Sequence, residues 1–297
     1  MSSATRAVIE ATQRQQPMTM AEMENIDDTL GPLAPEDWPN VDHLITEDDT
    51  PVDNIYSEKQ QRLLTESLYA SWQGPGEGHP FVAFANVGLY NSIKEPAQVP
   101  DVMVSLDVEL PEDIWEKRHR SYLIWEYGKA PEVVIEIVSN KVGGEATTKL
   151  QKYARMAIAH YVIYDPYQFL SNQVLRFYTL TGAAYVETDN AWLSAIELGL
   201  TLWSGTFEAW EDTWLRWSDR DGNILLTGAE GAEQERQRAE QERQRAEQER
   251  QRAEQERQRA EQEHQRAEQE RQRAEQAEEK LHQLAAQLRA LGIEPGI

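Results

Sequence analysis

The chain of 297 residues contains no cysteine. Disulfide bonds, thiolate metal sites and cysteine nucleophiles are therefore excluded. No segment approaches the roughly 20 consecutive apolar residues that a membrane-spanning helix needs, and the N-terminal residues lack the apolar core of a signal peptide. The six histidines show no metal-ligand spacing, and a glycine-rich phosphate loop is also missing. We therefore expect a cytoplasmic protein that has no membrane partner.

Basic residues are scarce, with 29 Lys and Arg against 52 Asp and Glu, which gives a net charge of −23. From Ala232 onward, 13 basic and 16 acidic residues nearly balance, so residues 1–231 carry the remaining −20. An acidic domain binds nucleic acid poorly without specific contacts, because phosphate contacts need Lys and Arg. Acidic surfaces also keep proteins soluble. The charge therefore counts against a nucleic-acid function without excluding it.

Composition divides the chain into three parts. Residues 1–50 are polar, acidic and interrupted by prolines, which predicts mostly irregular structure. Residues 51–228 have the length and apolar content of one α/β domain with a buried sheet. Residues 229–297 consist of charged heptads and predict one long helix.

The first predicted element of the domain is a helix. Ser57 and Gln60 have the spacing of a capping box, with Ser57 at the N-cap. Leu64, Leu68 and Trp72 then repeat at intervals of four residues, which places them on one helix face.

Segments rich in Val, Ile and aromatic residues predict the strands of the sheet. Four of them come in succession: Phe81–Tyr90, Val99–Val108, Glu132–Ser139 and His160–Tyr164. Between the last two, apolar residues from 150 to 158 recur at helical spacing. Because strand, helix and strand at this spacing form a crossover unit, part of the sheet is expected to be parallel.

The end of the domain predicts further antiparallel structure. Leu175–Leu180 and Ala184–Glu187 flank a Thr-Gly turn and predict a hairpin. The Trp-rich stretch Trp203–Trp217 closes the domain, and we assign its aromatic side chains to packing.

The tail begins at Ala232 with six copies of the heptad AEQERQR, one of which carries His264. Its residues are strong helix formers, and Glu and Arg side chains three or four positions apart attract one another. One position per heptad is Ala, and the position that would complete a seam is Glu or Arg. The pattern therefore suits a free-standing charged helix as well as a coiled coil.

Only the end of the tail carries a continuous apolar stripe. Its members follow the alternating 3-4 spacing of a coiled-coil seam: Ala274, Ala277, Leu281, Leu284, Leu288 and Leu291. If a homo-oligomer forms, we expect Leu281, Leu284, Leu288 and Leu291 to hold it together. The alternative is a solvated spacer.

Two acidic residues have unusual surroundings for a carboxylate. Asp101 follows Pro100 at the start of the apolar run VMVSL, and Glu136 lies inside the strand sequence EVVIEIVS. A carboxylate within a buried strand is costly unless it is paired, protonated or bound to a metal. Strand alternation places Glu136 on the same face as Val134 and Val138.

Three further candidates follow on the next predicted helix. Glu145, Lys149 and Lys152 share one helix face, which is offset from the apolar stripe and able to look toward the strand ends. Carboxylates from adjacent strands can hold Mg²⁺ or Mn²⁺ through oxygen ligands. Such a metal polarises a phosphodiester and activates water, while a lysine orients that water or stabilises the developing charge.

The segments PDVMVSL, EVVIEIVSN and EATTKLQKYARMAIAHYVIYDP together resemble the Uma-two family of restriction endonucleases, within the PD-(D/E)xK nuclease-like superfamily. The resemblance covers roughly residues 50–220 and excludes the tail. It implies a restriction-endonuclease-like fold, that is, an α/β fold with a mixed sheet flanked by helices. Here a long C-terminal helix follows, either free-standing or in a coiled coil.

The resemblance also implies roles for individual residues. Asp101 matches the motif aspartate and Glu136 the motif acid, and both are implied metal ligands. The usual motif lysine would fall at Val138, so Lys149 on the following helix takes its place, with Lys141 as a second candidate. The remaining matches are Glu145, an acidic position of the same helix, and Glu58 or Glu66, an additional ligand on the first helix.

Two functions remain open from the sequence. The first is a Mg²⁺- or Mn²⁺-dependent endonuclease that cleaves nucleic acid, with DNA as the expected partner. The second is a catalytically inactive nuclease-like scaffold that oligomerises through its C-terminal helix. Basic residues around the acidic cluster would favour the first, and an acidic surface reaching the carboxylates would favour the second.

Overall fold

The computed structural model describes residues 32–45, 54–76, 79–141 and 144–290. It divides into two compact units, Met1–Ala229 and Glu230–Ile297. Within the described residues, no helix is both long and apolar enough to cross a membrane.

The first unit is a mixed α/β domain, as predicted. Its helices are α1 (Ile55–Ser71), α2 (Ile124–Tyr127) and α3 (Leu150–Arg155, preceded by a π turn at Glu145–Lys149). Its strands are β1 (Phe81–Ala85), β2 (Leu89–Tyr90), β3 (Val102–Leu106), β4 (Tyr122–Leu123), β5 (Val133–Ile137), β6 (His160–Tyr164), β7 (Leu175–Thr181), β8 (Ala184–Thr188), β9 (Trp192–Leu193), β10 (Leu198–Phe207) and β11 (Trp210–Ser218).

Six strands form the central sheet in the order β1-β3-β5-β6-β7-β8. The pair β5 and β6 is parallel and is joined through α3, whereas the other neighbours run antiparallel. This arrangement confirms the mixed sheet, and the parallel pair is the predicted crossover unit. A second sheet has the order β11-β10-β9, and β2 pairs with β4 in parallel.

Apolar side chains cover both faces of the central sheet, because its inner strands alternate between two core clusters. Helix α1 and the second sheet pack on one face, where Leu64 and Leu68 meet Leu215 and Trp217. The other face packs against α3 and the residues around it, including the fully buried Tyr153.

The start of α1 differs from the prediction. Its N-cap is Asn54, whose side-chain oxygen accepts a hydrogen bond from the amide of Ser57 at 3.0 Å. Ser57 therefore lies inside the first turn and is buried. The predicted capping box was wrong because an Asn three residues upstream provides the same cap. The helix also ends at Ser71, so Trp72 is its C-cap and packs on Phe81 from an extended backbone.

The predicted strand Phe81–Tyr90 is divided into β1 and β2. The break falls at Asn86, whose φ of 55° lies in the left-handed region. Asn adopts this conformation more readily than most residues, so β1 ends here and the chain turns toward β2.

Part of the segment predicted as irregular is described, and it packs against the domain. Residues 32–45 contain a 3₁₀ turn at Pro35–Asp37. Beyond it, Val41 and Leu44 are buried against Tyr90 and Leu123. The rest of the first 50 residues lies outside the described residues.

The last helix, α4, spans Gly228–Ala290. Its 63 residues correspond to about 95 Å of length. Predicted charge pairs occur along it, such as Arg236 with Glu233 at 3.1 Å. Leu281 and Leu284 in the apolar stripe are exposed, and Leu291 lies outside the described residues.

Candidate active site

One edge of the central sheet brings the predicted acidic residues together. Because β5 and β6 are parallel, both end at this edge, and the antiparallel strand β3 begins there. Asp101 immediately precedes β3, and its Oδ2 accepts a hydrogen bond from the amide of Ile137 at 2.6 Å. The carboxylate of Asp101 is therefore bonded to the strand residue that follows Glu136.

Glu136 is almost completely buried, with 1% of its surface exposed. Each carboxylate oxygen accepts one hydrogen bond from a side chain of the crossover helix. Lys149 Nζ donates to Oε2 at 2.8 Å, and the hydroxyl of Tyr153 donates to Oε1 at 2.6 Å. The cost of burying this carboxylate is offset by a charged donor and a neutral one.

A π turn presents Lys149 to the carboxylates. The amide of Lys149 bonds the carbonyl of Gly144, five residues back. Gly144 has a φ of +71°, and a Cβ there would lie 2.5 Å from the hydroxyl of Thr148. Both the positive φ and the close hydroxyl favour glycine at the start of the turn. Single π turns are rare and frequently occur at functional sites.

Glu145 completes the cluster at the first position of this turn. Its Oε1 lies 3.5 Å from Lys149 Nζ, so the ammonium group contacts Glu136 and Glu145 together. The Glu145 side chain is only 9% exposed, and its buried Oε2 has no hydrogen-bond partner among the described residues. A buried carboxylate oxygen in this state is a candidate ligand for a cation.

For both Glu136 and Lys149, burial and the neighbouring charges shift the pKa in opposite directions. Burial raises the pKa of Glu136, and the attraction of Lys149 and the hydrogen bond from Tyr153 offset this only in part. Burial also lowers the pKa of Lys149, but Glu136, Glu145 and Asp101 outweigh it and raise that pKa overall. The outcomes differ because a quarter of the Lys149 side chain stays exposed, whereas Glu136 is enclosed. Lys149 is therefore held as a cation.

Besides Tyr153, two residues of the site were not predicted from the sequence, Gln61 and Asn86. Gln61 Nε2 donates to Asp101 Oδ1 at 2.8 Å, and Asn86 Nδ2 donates to Gln61 Oε1 at 2.7 Å. The amide of Asn86 also bonds the carbonyl of Asp101. Helix α1 and the end of β1 therefore fix the orientation of the Asp101 carboxylate.

The remaining candidates lie apart from this cluster. Lys141 is exposed in a bend after β5 and contacts none of the cluster residues in the described part of the chain. Glu58 is exposed and paired with Arg62 in the next turn of α1. Glu66 is half-buried on α1 and forms no ion pair with another described residue. The hydrogen bond to the Asp101 carboxylate from α1 comes from Gln61, rather than from either of the two acidic residues of that helix.

A mixed sheet with acidic side chains and a lysine gathered at one edge defines a restriction-endonuclease-like protein. The Uma2 family model, described as "Putative restriction endonuclease", matches residues 47–204. This match covers more than half of the chain, and the protein belongs to that family, which confirms the resemblance found in the sequence. Neither a curated protein nor a solved structure matches the chain. Family membership indicates a nuclease-like function.

Proposed function

We propose that this protein is an endonuclease that hydrolyses phosphodiester bonds in DNA with the help of Mg²⁺ or Mn²⁺. The observation that carries the proposal is the position of Lys149 Nζ, which lies 2.8 Å from Glu136 and 3.5 Å from Glu145. The Asp101 carboxylate accepts a hydrogen bond from the amide of Ile137, which follows Glu136 in β5. A buried acidic cluster around one ammonium group suits the handling of a phosphate and a cation together.

The donor set fits a hard divalent cation. Asp101, Glu136 and Glu145 offer only carboxylate oxygens, which Mg²⁺ and Mn²⁺ prefer. The described residues contain no group of three His, Cys, Asp or Glu residues already arranged around a metal position. Mg²⁺ commonly binds through one or two carboxylates and completes its shell with water and substrate phosphate. We therefore assign Asp101 and Glu136 as the proposed ligands, with the unbonded oxygen of Glu145 beside them.

The side chains of the cluster have distinct proposed roles. A bound cation would supply Lewis-acid activation of the phosphodiester and of water. Lys149, held as an ammonium group, orients the attacking water or stabilises the negative charge that develops on the phosphate. Tyr153 and Gln61 contribute by holding Glu136 and Asp101 in place through hydrogen bonds.

Cleavage of plasmid DNA with Mg²⁺ or Mn²⁺ tests the proposal. We expect Glu136→Ala and Lys149→Ala to lower the rate at least about a hundredfold, as loss of a group that stabilises transition-state charge commonly does. Lys141→Ala is the matched control, since it removes a nearby exposed lysine that does not contact the cluster, and its activity should stay unchanged. Equal activity in all variants would disprove the assignment of the site.

Metal binding provides a readout that does not depend on cleavage. Calorimetric titration with Mn²⁺ should show binding to the wild type and to Lys141→Ala, and weaker binding to Asp101→Asn and Glu136→Gln. Unchanged Mn²⁺ affinity in both carboxylate variants would contradict the assigned ligands.

A second candidate function is a catalytically inactive nuclease-like scaffold. It is favoured by the charge of −20 on residues 1–231 and by the long helix α4. In that case the wild type would neither cleave DNA nor bind Mn²⁺, and the ion pair of Lys149 with Glu136 would serve stability alone.

A further inference from the structure

A cavity of about 230 Å³ with both polar and apolar lining residues lies beside α3, outside the acidic cluster. Its polar lining residues are Asn91, Glu95, Gln98, Lys152 and Arg155. Lys152 Nζ donates to Gln98 Oε1 at 3.1 Å, which joins the helix wall to the opposite wall. Gln98 is itself buried, and its amide nitrogen donates to the backbone carbonyl of Ala97 at 2.9 Å. The side-chain oxygen of Gln98 is therefore directed toward Lys152.

Both walls of the cavity continue directly into the acidic cluster. Gln98 lies three residues before Asp101 on the segment that leads into β3, and Lys152 lies three residues after Lys149. Lys149 at the end of the π turn and Lys152 and Arg155 in α3 thus form a row with about 4.5 Å of helix rise per step. The cavity therefore lies next to the acidic cluster along this segment.

Lys152 and Arg155, the two cations of this row outside the acidic cluster, are available for a ligand. Several other basic side chains of the domain are engaged by carboxylates, as Lys149 is by Glu136 and Arg62 is by Glu58 and Glu208. Within the described part of the chain, Lys152 and Arg155 form no ion pair, and Arg155 is exposed. Only Glu95 opposes them in the cavity.

We propose that this cavity binds a backbone phosphate of the nucleic-acid strand next to the one being cleaved, through Lys152 and Arg155. The inference rests on the proposed endonuclease function and adds how an acidic protein holds its substrate. Phosphate contacts position a nucleic acid without reading its sequence. Placing them on the same helix as Lys149 aligns the strand with the acidic cluster despite the charge of the domain.

Binding without cleavage tests this site directly. Fluorescein-labelled single-stranded and duplex oligonucleotides are titrated with the protein in EDTA, and anisotropy is followed across about 50 to 200 mM salt. We expect Arg155→Ala to reduce the slope of log affinity against log salt by about one, and Lys152→Ala/Arg155→Ala by nearly two. The double variant should also bind about tenfold more weakly at the higher salt. Glu95→Gln, which removes the opposing charge, should bind more tightly.

Arg220→Ala is the matched control for Arg155→Ala. Arg220 is also exposed, and its guanidinium lies 5.2 Å from the ring of Trp192. Residues just after Trp192 contact His160 at the start of β6, whereas the acidic cluster lies at the end of that strand. Removal of Arg220 therefore takes away one exposed arginine at the opposite edge of the sheet and should leave the salt slope unchanged.

The outcomes separate this inference from the proposed function. If the wild type binds and cleaves DNA but Arg155→Ala behaves like Arg220→Ala, the cavity assignment is overturned and the endonuclease stands. If inorganic phosphate binds at the cavity but oligonucleotides do not bind to the protein, the assignment to a nucleic-acid strand is overturned. A wild type that neither binds nor cleaves would overturn both.

Discussion

Replacing Tyr153 with Phe tests how the buried carboxylate of Glu136 is kept in place. The hydroxyl of Tyr153 donates to Glu136 Oε1 at 2.6 Å, and the side chain is fully buried. The substitution removes one oxygen and leaves the ring, so the main loss is a hydrogen bond to a charged acceptor. Such bonds contribute about 1.5 to 3 kcal/mol to the free energy of unfolding, and we expect Tyr153→Phe to cost this amount.

Tyr161→Phe is the matched control for this change. Tyr161 is also fully buried, lies 5.2 Å from the Tyr153 ring, and donates to a neutral acceptor, the backbone carbonyl of Glu145, at 3.0 Å. Its loss should cost only about 0.5 to 1.5 kcal/mol. Urea denaturation followed by tryptophan fluorescence measures both values in the domain, because all nine tryptophans lie at or before Trp217. Equal costs for the two variants would refute the reasoning.

The stability cost of Tyr153→Phe should also depend on pH, and the structure gives the direction. The hydrogen bond from Tyr153 lowers the pKa of Glu136, which burial has already raised. A carboxyl group whose pKa is higher in the folded than in the unfolded state stabilises the fold at low pH. This stabilisation is lost as pH rises through the folded-state pKa. Tyr153→Phe raises the pKa further, so its cost should be largest at neutral pH and shrink toward pH 4. In a Glu136→Gln background, Tyr153→Phe should lower the free energy of unfolding by no more than Tyr161→Phe does. If Tyr153→Phe still cost more there, the carboxylate charge would not be the source of the difference.

Two further predictions concern parts of the chain away from the cluster. Burial lowers the pKa of His160, so the unfolded chain binds protons more readily and stability should fall as pH drops below about 6.5. The free energy of unfolding should therefore differ less between about pH 7.5 and 5.5 in His160→Gln than in the wild type. An equal difference in the two proteins would contradict this. Truncation after Gly228 should lower the number of chains per particle, obtained by dividing the light-scattering mass by the mass of one chain, without unfolding the domain. Leu281→Lys/Leu284→Lys should lower this number in the full chain. The same number of chains per particle in all three proteins would contradict an oligomer held together by this helix.

The elements with the strongest local patterns were predictable from the sequence. The sequence HYVIY became β6 with the predicted bounds, and EVVIEIVS contains β5, because continuous Val and Ile runs suit strands that are buried on both faces. The crossover followed from the helix between them. The same patterns placed Glu136 on a buried face, which made it a candidate before any contact was known.

Side-chain partners from distant segments were not predictable. Gln61 has the composition of an ordinary polar helix residue, and nothing in its neighbours indicates a bond to Asp101, forty residues away. Tyr153 belongs to the residues from 150 to 158 that recur at helical spacing, a pattern that predicts a buried helix face and gives no sign that its hydroxyl bonds Glu136. Periodicity shows which face of an element is buried, but the polar contacts made on that face depend on how the elements dock.

The position of the lysine has a physical consequence for the site. At the usual motif position, two residues after the acid on the same strand, this chain has Val138, which is buried in the core face shared with Tyr153. The ammonium group instead arrives from the π turn, which also carries Glu145 and leads into the row of Lys152 and Arg155. One short segment thus supplies the cation of the cluster, a third carboxylate and the proposed phosphate contacts. The π turn and α3 together thus group three cations of an acidic domain next to Glu136.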